Sequence, residues 1–141
     1  MKVFLSHPSN YRYDKDDSDL IQKITDELKR AGMDVWDDSV EVLPGDNWAQ
    51  LTSQALEESQ AMVVLLTPES IDSKWINWNI GFALGNISYK HRLIPVLVGD
   101  PKRFEQKIPA AFRYLKVINL SDNGKNDENI REIAEAIKQA A

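Results

Sequence analysis

Ala61-Met62-Val63-Val64-Leu65-Leu66, broken at Thr67-Pro68, is the stretch whose reading decides the fold. Six apolar residues in a row do not alternate as a half-exposed strand would. They fit a strand covered on both faces, as in a parallel sheet flanked by helices. The flanking sequence supplies those helices. Upstream, Leu51, Ala55 and Leu56 face inward along a helix over Trp48 to Ser59, capped by Asp46 or Asn47. Before it come a short second strand, Met33-Asp34-Val35-Trp36, and an acidic loop from Asp37 to Asp46 whose Pro44-Gly45 pair marks a turn. Earlier still, Leu20, Ile21, Ile24, Leu28 and Ala31 recur at helical spacing, with Gly32 where a helix stops. The polar run Pro8 to Asp19 leads into that helix, and Val3 to Ser6 is read as the first strand.

Downstream, a helix carrying Trp75 and Asn79 leads to Arg92-Leu93-Ile94-Pro95-Val96-Leu97-Val98, a fourth strand. Its Pro95 weakens ladder pairing and argues for an early or edge placement of that residue. Lys116 to Leu120 is a fifth strand, and Ile130, Ile133, Ala134 and Ile137 mark a last helix capped near Asn126 or Asp127. The order β-α-β-α-β-α-β-(loop or short helix)-β-α implies an α/β fold, a parallel sheet wrapped on both faces by right-handed crossovers. No linker or repeat divides the 141 residues, so one domain over 1–141 is expected, large enough to bury roughly two-thirds of its unfolded surface.

Composition narrows the function. There is no cysteine, which excludes disulfides, thiolate metal sites and cysteine nucleophiles and fits a reducing compartment. Only His7 and His91 offer imidazole, and no metal site is expected. The net charge is −5 and the 17 Lys and Arg form no block, which argues against nucleic-acid binding. No apolar run approaches the ~20 residues of a membrane span, and the opening run is too short for a signal peptide, so a cytoplasmic protein without membrane attachment is expected.

In open α/β sheets ligands sit outside the carboxyl ends of the strands. There the segment after the central strand offers Trp75 and Asn79, four apart on one helix face, but neither a general base nor a nucleophile. Ser6 and His7 end the first strand at the same edge. Read from pattern alone, Trp36, Trp48 and Trp78 are packing residues, and Gly81 and Gly85 allow close helix packing rather than a phosphate cradle. Asn79 itself reads either as a surface or half-buried helix residue or as a ligand contact, and His7 as a hydrogen-bonded structural residue or part of the pocket lining.

Three segments in order resemble the Toll/interleukin receptor (TIR) domain of the bacterial type. They are Val3-Phe4-Leu5-Ser6-His7; Asp34-Val35-Trp36-Asp37-Asp38 through Leu43-Pro44-Gly45-Asp46-Asn47-Trp48, similar to that family's strand B and BB loop; and Val63 to Pro68 with Ser73-Lys74-Trp75, similar to strand C and its helix. The resemblance implies a single TIR-like, flavodoxin-like domain with a five-stranded parallel sheet. It implies one of two roles: assembly with other TIR domains, or cleavage of NAD at the nicotinamide glycosidic bond, often in bacterial anti-phage defence. NAD would be substrate or ligand, with no other cofactor. The family's catalytic Glu lies four positions after the helix Trp, and here that position is Asn79. The resemblance also points to Ser6, His7, Asp38, Trp48, Ser73 and Trp75 as ligand contacts, and to Val42, Leu43, Pro44 and Gly45 as a self-association interface.

Breaking that bond develops positive charge on the ribose, which a carboxylate stabilises. Losing one such stabiliser costs a factor of about 100 to 1,000, so turnover by the family's route should be weak or absent. Asp37, Asp38, Glu41, Asp46, Glu69 and Asp72 are candidate replacements, each also readable as a solvated loop acid. A phosphoacceptor receiver would need an Asp after the central strand, where Thr67-Pro68 stands. A nucleoside deoxyribosyltransferase-like protein would need a Glu nucleophile there, for which only Glu69 is available.

Overall fold

No side chain of the central apolar stretch reaches solvent in the computed structural model, which describes residues 1–7, 15–37, 45–71, 74–85, 89, 92–104, 107–120 and 127–139. This strand, β3 (Ala61–Leu66), lies in a five-stranded parallel sheet with β1 (Lys2–Ser6), β2 (Asp34–Asp37), β4 (Leu93–Val98) and β5 (Ile118–Leu120), in the order β2-β1-β3-β4-β5. The helices are α1 (Lys15–Arg30), α2 (Trp48–Glu58), α3 (Lys74–Gly85) and α4 (Asp127–Gln139), with two 3-10 turns, Pro101–Phe104 and Ala110–Tyr114, before β5. The alternating order and the parallel sheet expected from the sequence are both present.

Two apolar layers cover the sheet, and strand alternation assigns residues to them. Val3 and Leu5 of β1 join Val63, Leu65, Ile94 and Val96 under α1 (Ile21, Ile24, Leu28) and α4 (Ile130, Ile133, Ile137). Phe4 joins Met62, Val64, Leu66 and Leu97 under α2 (Ala55, Leu56) and α3 (Ile80, Ala83). Burying each such side chain contributes roughly 1.5–3 kcal/mol, which is why the inward stripes of the helices could be read from spacing. Trp36 stacks on Phe4 with ring centroids 5.1 Å apart, the packing role expected of it.

Helix ends follow local rules. Asn47 caps α2, its Oδ1 accepting from the Gln50 amide at 3.1 Å. At the end of α1 the Met33 amide donates to Leu28 O and the Gly32 amide to Lys29 O, with Gly32 at φ 88. That is a Schellman closure, which needs a left-handed residue.

Pro95 departs from expectation only in lying on an interior strand. β4 is an interior strand, and Pro95 pairs with Val64 of β3 in mid-strand. Pairing with β5 begins only at Val96 and Ile118, so Pro95 has no β5 partner and its missing amide hydrogen removes no bond on that side. The glycines of α3 depart further. Among the described residues, a Cβ at Gly81 or Gly85 meets nothing within 4 Å, and both residues are exposed. They do not mediate close packing. Trp78, expected to be a packing residue, lies with its ring 6.1 Å from that of Phe82 but is 51% exposed on the same helix. Three polar or small residues, Lys74, Asn77 and Gly81, turn that side of the helix outward.

Two glycines therefore respond oppositely to alanine. Gly81→Ala, in an exposed helix interior with open space, should raise unfolding stability by about 0.5–1 kcal/mol. Gly32→Ala, at positive φ, should lower it by about 1–2 kcal/mol. Urea denaturation of both variants beside the parent chain measures the two signs.

Candidate functional site

The strand order reverses between β1 and β3: from β1 the chain turns one way to β2, and from β3 it continues the other way to β4 and β5. Ligands of such sheets bind at the carboxyl edge beside a reversal of this kind. Ser6, the last residue of β1, stands at that edge, in register with Val64. It is 3% exposed. Above it Asn79 of α3 is fully buried, and its Nδ2 donates to Ser6 Oγ at 3.0 Å. Asn79 Oδ1 has no hydrogen-bond partner among the described residues. Exchanging the two ends of the amide would leave the nitrogen open instead, so in either orientation one end is unmatched.

Of the two readings of Asn79, the surface or half-buried one is therefore overturned. Its burial has a plain cause. Asn79 lies on the inward stripe of α3 with Ile80 and Ala83, and α3 packs over β3 and β4. A neutral amide in this position needs no counter-ion, whereas a carboxylate there would be desolvated.

A second polar pair lies one residue further along β1, on the other face. His7 Nε2 is 2.8 Å from Asp37 Oδ1, and both residues are buried. Asp37 is the last residue of β2, opposite Leu5, so the pleat directs it to the α1/α4 side, away from Asn79. The solvated-loop reading of Asp37 is thus wrong, because the sequence placed the strand end one residue early. Its placement also argues against Asp37 as a substitute for the family's Glu. His7 takes the structural role rather than facing Asn79.

The remaining acids offer no substitute among the described residues. Glu69 is exposed and paired with Arg103; a backbone hydrogen bond at Glu69 and the Arg103 guanidinium hold its carboxyl below the usual range. Lys107 Nζ donates to Pro68 O at 3.0 Å, so the segment after β4 is tied twice to the turn after β3. Asp46 is exposed beside the cap of α2. Asp38, Glu41 and Asp72 lie outside the described residues, as do the proposed contact Ser73 and the interface residues Val42, Leu43 and Pro44. Gly45 is exposed, with φ 93 in the turn before α2. Trp48 opens α2 and Trp75 lies in the first turn of α3, but their side chains are not among those described. Asn77 faces outward and donates from Nδ2 to Ile71 O at 3.1 Å, closing the turn before α3.

The geometry thus brings together Ser6 and Asn79 at the switch point, two of the seven positions that the family resemblance had tied to NAD chemistry. The TIR domain family matches residues 3–135. The chain belongs to the TIR family.

Among similar proteins, a probable 2' cyclic ADP-D-ribose synthase of Methanobrevibacter olleyae is 26% identical over 111 residues, 76% of this chain and 31% of that protein. A 2' cyclic ADP-D-ribose synthase of Acinetobacter baumannii is 25% identical over 92 residues, 65% of this chain and 32% of that protein. This TIR domain thus spans about a third of the length of these relatives. The metazoan TIR-STING receptor from C. gigas, solved in complex with 2',3'-cGAMP, superposes with a TM-score of 0.67 at 22% identity, covering 94% of this chain and 38% of that one. The TIR domains of the activated Roq1 resistosome give a TM-score of 0.57 at 16% identity, over 99% of this chain and 82% of that one. At these identities the two structures establish the shared fold. No helix among the described residues is long and apolar enough to cross a membrane.

The two carboxylate pairs should differ sharply in weight. Asp37→Ala, which leaves the buried His7 ring without this hydrogen-bond partner, should lower stability by about 1–3 kcal/mol. Glu69→Gln, at an exposed pair, should change it by less than about 1 kcal/mol. Guanidinium melts of the two variants provide the comparison.

Proposed function

We propose that this TIR domain binds NAD or a closely related nucleotide at the carboxyl edge of β1 and β3, in the NAD-cleaving branch of the family, with cleavage strongly reduced by Asn79. The observation that carries the reading is the amide of Asn79: wholly buried at the switch point, held at one end by Ser6 Oγ and open at the other. An open hydrogen-bonding end in a buried site is one that a ligand group can match. The relatives that bear the name 2' cyclic ADP-D-ribose synthase support the nucleotide class. By the family resemblance the role would be defence signalling inside the cell, and Trp75, Trp48, Ser73 and Asp38 would contact the ligand.

The chemistry follows from the amide. Leaving of nicotinamide draws electrons from the ribose and builds positive charge at the anomeric carbon. Asn79 can accept or donate one hydrogen bond there but carries no charge, so it holds the ground state and the transition state about equally. Such uniform binding gives affinity without acceleration. The domain thus acts as a nucleotide-binding form of a cleaving fold.

Assembly with further copies through the segment around Val42 to Gly45 is the second reading. Support comes from α3, which leaves Trp78 and Leu84 about half exposed and carries no carboxylate in a chain of net charge −5, a largely apolar surface that a further copy can cover. Light scattering against concentration, with and without NAD, tests it: growth in mass without turnover is the expected result.

The decisive experiment is nicotinamide release from NAD by the purified chain beside Asn79→Glu. The parent should bind NAD in calorimetry with release near background, and the variant should release nicotinamide about 100-fold faster or more. Turnover by the parent at the rate of the variant would refute the reduced-cleavage reading. Absence of NAD binding by both proteins would refute the nucleotide reading.

A further inference from the structure

Asn79 is not alone in holding an unmatched buried atom on its side of the sheet. Thr52 is 2% exposed, and its Oγ1 has no hydrogen-bond partner among the described residues. A helical threonine can return its hydroxyl to the carbonyl four residues earlier. Ser59, on the same inward stripe just past the end of α2, does this: its Oγ donates to Ala55 O at 2.6 Å. Thr52 does not, so its hydroxyl stays open where the helix offers a partner.

The topology brings this atom toward the carboxyl edge. α2 runs from the carboxyl end of β2 back to the amino end of β3, so its first turns lie at the carboxyl edge of the sheet. Thr52 sits one turn in, on the stripe of Ala55 and Leu56 that packs on the α2/α3 face, and α2 lies over β1. Asn79 comes down on the same face from α3, one residue before Ile80 of the same apolar layer. Two independent buried polar atoms, one on each helix, thus lie on the α2/α3 side of the sheet, Asn79 at the end of β1 through its bond to Ser6.

We propose that Thr52 is a ligand-binding residue, forming with Asn79 a subsite for a sugar diol of the bound nucleotide. This rests on the reading that the domain binds NAD or a related nucleotide. The chemistry of the subsite favours a neutral hydroxyl group over a phosphate. α2 has no Lys or Arg, and the single cation of α3, Lys74, is exposed at its start. A sugar hydroxyl both donates and accepts, so a vicinal pair satisfies Thr52 Oγ1 and the open end of Asn79 in either amide orientation. Leaving two buried polar atoms unmatched opposes folding, and binding supplies what the fold withholds.

The test combines affinity with stability, using NAD and ADP-ribose as probes. Thr52→Val keeps the shape and removes the hydroxyl; Thr52→Ser keeps the hydroxyl. By calorimetry, Thr52→Val should weaken both probes about tenfold, the loss of one hydrogen bond, while Thr52→Ser stays within about threefold of the parent. Without ligand, Thr52→Val should melt no lower than the parent, because it deletes an unmatched polar atom. A parent that binds while Thr52→Val binds equally well overturns the subsite and leaves the nucleotide reading standing. Weakening of NAD alone, with ADP-ribose unaffected, assigns the hydroxyl to the nicotinamide end and overturns the diol. Loss of melting temperature and affinity together in both variants marks a packing role and also overturns it. A parent that binds neither probe removes the nucleotide reading itself, and this subsite with it.

Discussion

Everything at the candidate site depends on where β1 ends. β1 is paired on both sides, with β2 and β3, and both its faces are covered by helices, so Ser6 at its end and His7 just past it stay buried and take polar partners. The pleat then separates them. Ser6 turns to the α2/α3 side and meets Asn79, while His7 and Asp37 close on the opposite side. A shift of one residue in the register of β1 would exchange the two environments, setting an imidazole against α3 and a hydroxyl against Asp37. The apolar layers forbid that shift, because it would also turn Phe4 and Leu5 to the wrong faces.

Much of this was legible in the sequence because it rests on strong periodic signals. The continuous apolar run of β3 and the stripes Ile21-Ile24-Leu28 and Ile130-Ile133-Ile137 report burial directly. The end of α1 was marked by Gly32, whose positive φ is a local requirement. What was not legible depends on neighbours far along the chain. Asp37 reads as one more acid in an acidic loop, and only the pairing of β2 with β1 shows that it is a strand residue facing His7. Trp78 reads as a packing residue, yet its place one residue before Asn79 and two before Ile80 turns it to the outer side of the helix. The burial of Asn79 was within reach, since it lies one residue from Ile80 and four from Ala83 in an otherwise apolar helix. The signal was masked by the rule that places amides at surfaces.

The interior on the α2/α3 side combines full satisfaction with deliberate gaps. Tyr89, wholly buried, donates its hydroxyl to Leu56 O at 2.8 Å, and burial pushes its phenol well above the usual range, so it stays a neutral donor. Ser59 closes on its own helix. These groups lie toward the amino edge of the sheet, where the fold has only stability to serve. Thr52 and Asn79 lie nearer the carboxyl edge and carry open atoms. A third open atom, Arg92 Nε, lies at the amino start of β4, so among the described residues unmatched polar atoms occur at both edges of the sheet.

The open surface over Gly81 has a practical corollary. The chain contains no cysteine, so a single thiol introduced at position 81 would be chemically unique. With room for a Cβ and a helical backbone that accepts any L-residue, the position can carry a fluorophore or spin label without disturbing the layer beneath. It sits two residues from Asn79 on the outer side of the same helix, so the label would report on α3 without entering the site. A glycine that contributes nothing to packing thereby becomes a point from which movements of the helix over the site can be observed.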